Sequence, residues 1–158
     1  MDKNSYLALA ISLAATGHLE QTDKGGNPYI LHPIKVMRYI RSDDPELMSI
    51  AVMHDLVEDT DMTVEQLREK GFSERVCKAV DILSKKENQT EEEYLTGIIG
   101  NKDAVCVKLA DLRHNSDVRR LKGLTDKDLL RMRKYHKMYK TLESVKAGYE
   151  HIESLKSL

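Results

Sequence analysis

Apolar residues recur at three- and four-residue steps along most of this chain, and strict alternation is rare. That period belongs to helices that bury one face. Residues 4–17 are rich in Ala and Leu and stop at Gly17, which predicts a first helix. Gly25, Gly26, Asn27 and Pro28 mark a loop. His32-Pro33 then opens a second helix, with His32 at its cap and Pro33 at its first position, and Val36, Met37 and Ile40 share a face up to about Arg41. Asp43, Asp44 and Pro45 separate it from a helix over about 46–59. Thr63 with Gln66 reads as a capping box for a short helix to Lys70, closed by Gly71. Ser73 opens another, with Val76, Ala79, Val80 and Leu83 at helical spacing. Thr90 with Glu93 is a second capping box, ahead of Tyr94, Leu95, Ile98 and Ile99, and Gly100-Asn101 stops that helix. The β-branching of AVCVKLAD would suit a strand, but Val105, Leu109, Leu112 and the later Leu121 are spaced as on a helix. Thr125 with Asp126 and Asp128 starts the last helix, whose apolar face runs through Leu129, Met132, Tyr135, Met138, Tyr139, Leu142 and Val145. No internal repeat or low-complexity segment interrupts this order. The expectation is an all-α, single-domain helical bundle over 1–158, with a motif core at 5–120 and C-terminal helices at 125–158.

One stretch breaks the apolar pattern. IAVMHDLVEDT (50–60) begins wholly apolar and then carries His54, Asp55, Glu58 and Asp59. On a helix, 54 and 58 lie one turn apart, as do 55 and 59. Burying three neighbouring carboxylates without a cation is too costly to be incidental. The stretch therefore reads as half of a metal site. For the other half, Asp111 is the best carboxylate, because it follows the almost wholly apolar run Val105–Ala110. His32 is the best imidazole, since a cap position after a glycine loop can project a ring into a cleft. His32, His54, Asp55 and Asp111 form a mixed nitrogen and oxygen set that suits Mn²⁺, with Fe²⁺ or Zn²⁺ as competitors.

Composition narrows the function classes. The 158 residues suit one domain with a real core. A net charge of −1 provides no global field to recruit nucleic acid or an anionic membrane. No Trp and one Phe disfavour a stacking platform for single strands. The basic run RMRKYHKMYK (131–140) alternates with apolar residues at helical spacing, as the exposed face of an amphipathic helix does. Cys77 and Cys106 are too few for a disulfide framework and suggest a reducing compartment. No stretch reaches the length of a membrane span. The apolar run Tyr6–Ala15 has a mixed-charge flank and no clear cleavage site, so it reads as a core helix. A cytoplasmic protein is expected, with homo-oligomerisation left open. His18 reads as a structural residue, His136 and His151 as surface residues, and His114 as a packing or solvated residue that points away from Asn115.

Three motifs in order, HLEQTDKGGNPYILHP (18–33), HDLVEDT (54–60) and KLADLRHN (108–115), carry a family resemblance. The adjacent His54-Asp55 with a distant Asp111 is similar to the HD phosphohydrolase superfamily. The three together resemble the hydrolase domain of the RelA/SpoT alarmone enzymes and their small stand-alone relatives. The resemblance implies an HD-type helical bundle with metal ligands at His32, His54, Asp55 and Asp111. It implies Glu58 and Asp59 as the catalytic acidic pair, and substrate contacts from Lys24, Tyr29, Lys85 and Asn115, with Arg113 as a further phosphate-balancing cation. The activity implied is metal-dependent hydrolysis of (p)ppGpp to GDP or GTP plus pyrophosphate. Three departures bear on the base. Asp23-Lys24 stands where the family has Arg-Lys, KLADLRHN stands for KLADRLHN, and Ser116-Asp117 follows in place of an apolar residue and Arg. The alternatives are hydrolysis of another ribose-phosphate nucleotide (the NADPH 2′-phosphate, ppApp-like or 3′-phosphoadenine nucleotides) or a non-catalytic nucleotide sensor. A small-molecule nucleotide is the expected partner in each case, with no nucleic acid and no membrane.

Overall fold

The computed structural model describes residues 3–157, so both ends of the expected 1–158 span lie outside the described residues. Its axis is α3 (Pro45–Met53). Asp44 caps this helix by accepting from Glu46 N at 3.0 Å, and Pro45 takes the first position, where no backbone donor is needed. Ser49, Ile50, Ala51, Val52 and Met53 are all fully buried, with the Ser49 hydroxyl donating to Pro45 O at 2.6 Å. A helix this apolar needs neighbours on every side. They are α1 (Lys3–Gly17), α2 (Leu31–Tyr39), α6 (Glu74–Leu83) and α8 (Lys102–Asn115). Helix α1 approaches through Tyr6, Ala10 and Ala14, a stripe at four-residue steps whose two alanines allow close contact. At its end, a Cβ on Gly17 would lie 2.5 Å from Leu56 Cδ1, so any larger residue there would displace the buried Leu56 side chain.

The main departure from expectation lies within 46–59. The helix is not continuous. It stops at Met53, and a single turn, α4 (Leu56–Asp59), follows. His54 Nδ1 donates to Ala51 O at 2.8 Å, which is the carbonyl an unbroken helix would offer to Asp55 N–H. The imidazole thus interrupts the backbone ladder at His54–Asp55. Helical bonding resumes with Asp59 N donating to Asp55 O at 2.9 Å. Smaller corrections concern helix ends. Helix α2 starts at Leu31, so Ile30 is its cap, and His32 and Pro33 are its second and third residues. Pro33 still sits in the first turn, where its missing N–H costs nothing. Helix α8 ends at Asn115, and Leu121 lies beyond a 3₁₀ turn at Val118–Arg120, off the helix.

The remaining caps follow the sequence pattern. Thr63 and Gln66 start α5 (Val64–Glu69), Ser73 starts α6, and Thr90 and Glu93 start α7 (Glu91–Ile99). Thr125 and Asp128 start the long α9 (Asp126–Lys156). Helix α9 packs on α7 and α8, with Leu142 fully buried and Tyr135, Met138, Tyr139, Val145 and Tyr149 partly so. Leu129, expected on this face, is 47% exposed, because the first turns of α9 overhang a cavity and not the core. Among the described residues the only β pairing is an isolated bridge between Thr22 and Pro28, and no helix is long and apolar enough to cross a membrane.

Candidate metal centre and active site

Three helices and one helix break converge on a small polar knot. His32 comes from α2, His54 from the end of α3, Asp55 from the break and Asp111 from α8. His32 Nε2 lies 3.1 Å from Asp111 Oδ1 and 3.5 Å from Asp55 Oδ2. His54 Nε2 lies 3.0 Å from Asp55 Oδ2 and 3.5 Å from Asp111 Oδ1. The four sequence-predicted ligand residues thus close a ring of two nitrogens and two oxygens. His32, His54 and Asp55 alone each offer a donor atom within 4.8 Å of the others.

The ring has an electrostatic signature that fits a cation. His54 Nδ1 must carry a proton, because its partner Ala51 O can only accept. In a neutral imidazole, Nε2 then has only a lone pair, and that lone pair faces two carboxylates. It is a buried nitrogen without a hydrogen bond among the described residues. Burial alone would push His54 down, yet the charges of Asp55 and Asp111 outweigh it and raise its pKa to about 10. A proton or a cation must occupy the space between them. Nitrogen and carboxylate donors separated by 3.0–3.5 Å suit adjacent corners around a small divalent ion with bonds of about 2.1 Å.

A second layer holds the carboxylates ionised. Asp111 accepts from Asn115 Nδ2 at 2.6 Å and from Lys108 Nζ at 2.8 Å. Against the opposing effect of burial, Lys108 and the two imidazoles hold Asp111 well below the usual carboxylate range. Lys108 is in turn driven up, because Asp111, Tyr94 and Asp55 outweigh its own desolvation. Tyr29 donates its hydroxyl to Asp55 Oδ2 at 2.5 Å, and burial together with the Asp55 charge keeps that phenol protonated. Tyr29 reaches this position from a tight loop in which Tyr29 N donates to Gln21 O and Asp23 N to Asn27 O, both at 2.9 Å.

These groups open onto a cavity of about 650 Å³ between α4, α8 and α9. Glu58, Asp59, Lys24, Lys85 and Asn115 all line it, as do Tyr29, Asp55 and Asp111. Glu58 accepts from Lys85 N at 3.0 Å, and Asp59 O accepts from Gln21 Nε2 at 2.8 Å. Both acids have pKa values raised above the ordinary carboxylate range, chiefly by desolvation, with the Asp55 charge adding to it. Lys85 meets Glu58 with its backbone, while its ammonium pairs with Glu91 at 2.7 Å.

No family model matches the chain. Its sequence is 34% identical over 116 residues to a guanosine-3′,5′-bis(diphosphate) 3′-pyrophosphohydrolase of Aquifex aeolicus, a match that takes in 67% of this chain and 16% of that protein. It is 31% identical over 127 residues to the bifunctional (p)ppGpp synthase/hydrolase SpoT of Escherichia coli, covering 72% of this chain and 18% of the relative. The chain thus spans about a sixth of the length of these curated relatives. A solved structure described as a metazoan ortholog of SpoT that hydrolyses ppGpp superposes with a TM-score of 0.73, at 24% identity and over 96% of both chains. The chain has the HD-type fold of the RelA/SpoT hydrolase domain.

Within this HD-type domain, several residues near the site stand elsewhere than the sequence reading had them or escaped it. Arg113 does not reach the cavity. Its guanidinium lies 4.2 Å from the centroid of the Tyr39 ring on another face of α8. Arg120 lines the cavity instead, donating to Asn115 Oδ1 at 3.0 Å and pairing with Asp23 at 3.5 Å. His114 is not merely packed or solvated. Its Nδ1 meets His32 Nδ1 at 2.7 Å with the ring planes within 11° of each other. Half-burial, then the nearby cations, lower its pKa to about 4, so it stays neutral beside His32. Lys108 left a visible signal, one turn before Asp111 in an apolar run, as a buried carboxylate needs. Arg120 left none, because only the 3₁₀ turn brings it back over Asn115.

Proposed function

We propose that this domain, taken as one catalytic unit over 1–158, removes the 3′-diphosphate of guanosine polyphosphates, converting (p)ppGpp to GDP or GTP and pyrophosphate. The observation that carries the reading is the ring of His32, His54, Asp55 and Asp111, whose two carboxylates line the same cavity as two acids with raised pKa values, Glu58 and Asp59. The mixed donor set favours Mn²⁺ over Fe²⁺ or Zn²⁺. When bound, such an ion supplies Lewis acidity to a phosphoryl oxygen and a more acidic water. The chain's own residues do the rest. Asp59 orients the attacking water and takes its proton, a role that its raised pKa favours. Glu58, held by Lys85 N, returns a proton to the 3′-oxygen as its bond to phosphorus breaks. Lys24 and Lys85 balance phosphate charge at the cavity wall, and Asn115 and Tyr29 position the sugar side.

One observation favours a second reading, in which the base is not guanine. Asp23 occupies the loop position where a stacking guanidinium is expected. Its Oδ1 accepts from Gly25 N and Asn27 N, both at 2.9 Å, and its Oδ2 faces Arg120. A carboxylate tied up in this way offers no stacking platform. Adenine nucleotides carrying a 3′-diphosphate, or the NADPH 2′-phosphate, therefore belong in the test. The Mn²⁺-loaded protein should be assayed against ppGpp, pppGpp, ppApp, NADPH and ordinary nucleoside phosphates. Dominant ppGpp turnover with pyrophosphate release is expected. Dominant turnover of an adenine nucleotide would replace the first reading with the second, and tight binding without turnover of any compound would make the domain a sensor.

A further inference from the structure

Behind His32, on the side away from the carboxylate ring, lies a second cleft of about 430 Å³ between α2, the end of α8 and the 3₁₀ turn. Its charge balance differs from that of the main cavity. Two carboxylates line it, and both are already paired, Asp117 with Arg119 at 2.8 Å and Asp23 with Arg120 at 3.5 Å. Lys35 and Arg38, also lining it, have no ion pair among the described residues. Both are exposed, on successive turns of α2. Lys35 Nζ sits 5.1 Å from the centroid of the Tyr39 ring, and the Arg113 guanidinium is 4.2 Å from that centroid. Arg113 likewise has no carboxylate partner among the described residues. Two unneutralised cations, Lys35 and Arg113, thus flank the Tyr39 ring, and a third, Arg38, lines the same cleft as Lys35 and Tyr39, on a chain whose net charge is −1. Cations held together without counter-charges repel one another, and an anion in the cleft relieves that repulsion.

We propose that this cleft is a phosphate-binding site, separate from the carboxylate ring and built on Lys35, Arg38 and the Arg113–Tyr39 pair. The cleft and the main cavity share Asp23, Asp117 and Arg120 along one edge. The phosphate can therefore come from either of two sources. It is the 5′-phosphate end of a nucleotide whose 3′ end lies in the main cavity, or it is free phosphate acting from outside. The first source rests on the hydrolase reading above, and the second does not.

The test uses the double variant Lys35→Gln/Arg38→Gln, with Lys78→Gln/Lys137→Gln as a charge-matched control at exposed positions that line neither cavity nor cleft. In the first arm, ¹⁵N-labelled, Zn²⁺-loaded protein is titrated with inorganic phosphate and read residue by residue. Saturable shifts at the amides of Lys35, Arg38 and Tyr39 are expected, weakened at least tenfold in the double variant and unchanged in the control. In the second arm, KM is compared for guanosine 3′-diphosphates with a 5′-diphosphate and with a 5′-hydroxyl. A KM raised for the first compound alone, at constant kcat, assigns the cleft to the substrate's own 5′ end. Unchanged KM values with a lost phosphate titration assign it to free phosphate. Absence of saturable shifts together with unchanged KM values would overturn the proposal. If neither nucleotide is turned over, the hydrolase reading fails and the phosphate titration alone decides the cleft.

Discussion

The two walls of the main cavity are built differently. The wall backed by α2, the end of α3 and α8 holds its groups in place. His54, His32 and Asp111 are at most 3% exposed, and each is gripped by a partner: Ala51 O, His114, and Lys108 with Asn115. The opposite wall, the first turns of α9 and the Asp23–Lys24 loop, presents half-exposed or exposed side chains such as Arg131, Lys134 and Lys24. Groups that must meet a small ion need sub-ångström placement, which packing provides. Groups that meet a large, charged ligand need reach and solvent access. Substitutions on the first wall should therefore act on chemistry and metal binding, and those on the second on affinity and choice of ligand.

The largest effect is expected at the ring itself. Asp55→Ala should remove bound metal and lower kcat by at least about 10³-fold, measured by metal content and by turnover of the preferred nucleotide. Turnover near wild type would sink the assignment of the ring. Asp111→Ala should also cost about 3 kcal/mol of stability in chemical denaturation, because Lys108 is left buried without its partner. A variant as stable as the parent would show that Lys108 escapes to water. Next, Asp59→Ala should lower kcat by about 10²–10⁴-fold while metal stays bound. The raised pKa values of Glu58 and Asp59 give a pH counterpart. Because Asp59 acts ionised, kcat/KM should fall as pH drops through a limb lying above the ordinary carboxylate range. The same shift has the opposite sign for folding. A carboxyl that holds its proton more tightly when folded loses stability as pH rises through its folded pKa. Metal-free Asp59→Asn should then be slightly more stable than the parent at neutral pH, and a less stable variant would contradict the direction of the shift.

The smallest contrast lies along α9. Leu142→Ala should cost about 2–4 kcal/mol as a fully buried leucine, whereas Leu129→Ala should lie within about 0.5 kcal/mol of the parent. Equal costs would mean that the first turns of α9 pack more firmly than their exposure indicates.

How much of this was legible follows the same division. The helices were readable from apolar spacing, and caps such as Thr63–Gln66 and Thr125–Asp128 from local side-chain chemistry. Asp111 was readable because a polar group inside an apolar run demands a partner, and His32 because it opens a helix directly after a glycine loop. The break at His54–Asp55 was not, since it depends on an imidazole competing for Ala51 O, a choice that propensity does not encode. Neither Arg120 over Asn115 nor His114 against His32 could be read from spacing. Both arise from how the end of α8 and the turn after it fold back over α2 and the Asp23 loop.

The most direct test of the central claim is a Mn²⁺ titration of three proteins, the parent, Asp55→Ala and Asp59→Ala, by calorimetry. One tightly bound ion per chain is predicted in the parent and in Asp59→Ala, and none in Asp55→Ala. Equal binding in all three would contradict a metal centre made by His32, His54, Asp55 and Asp111.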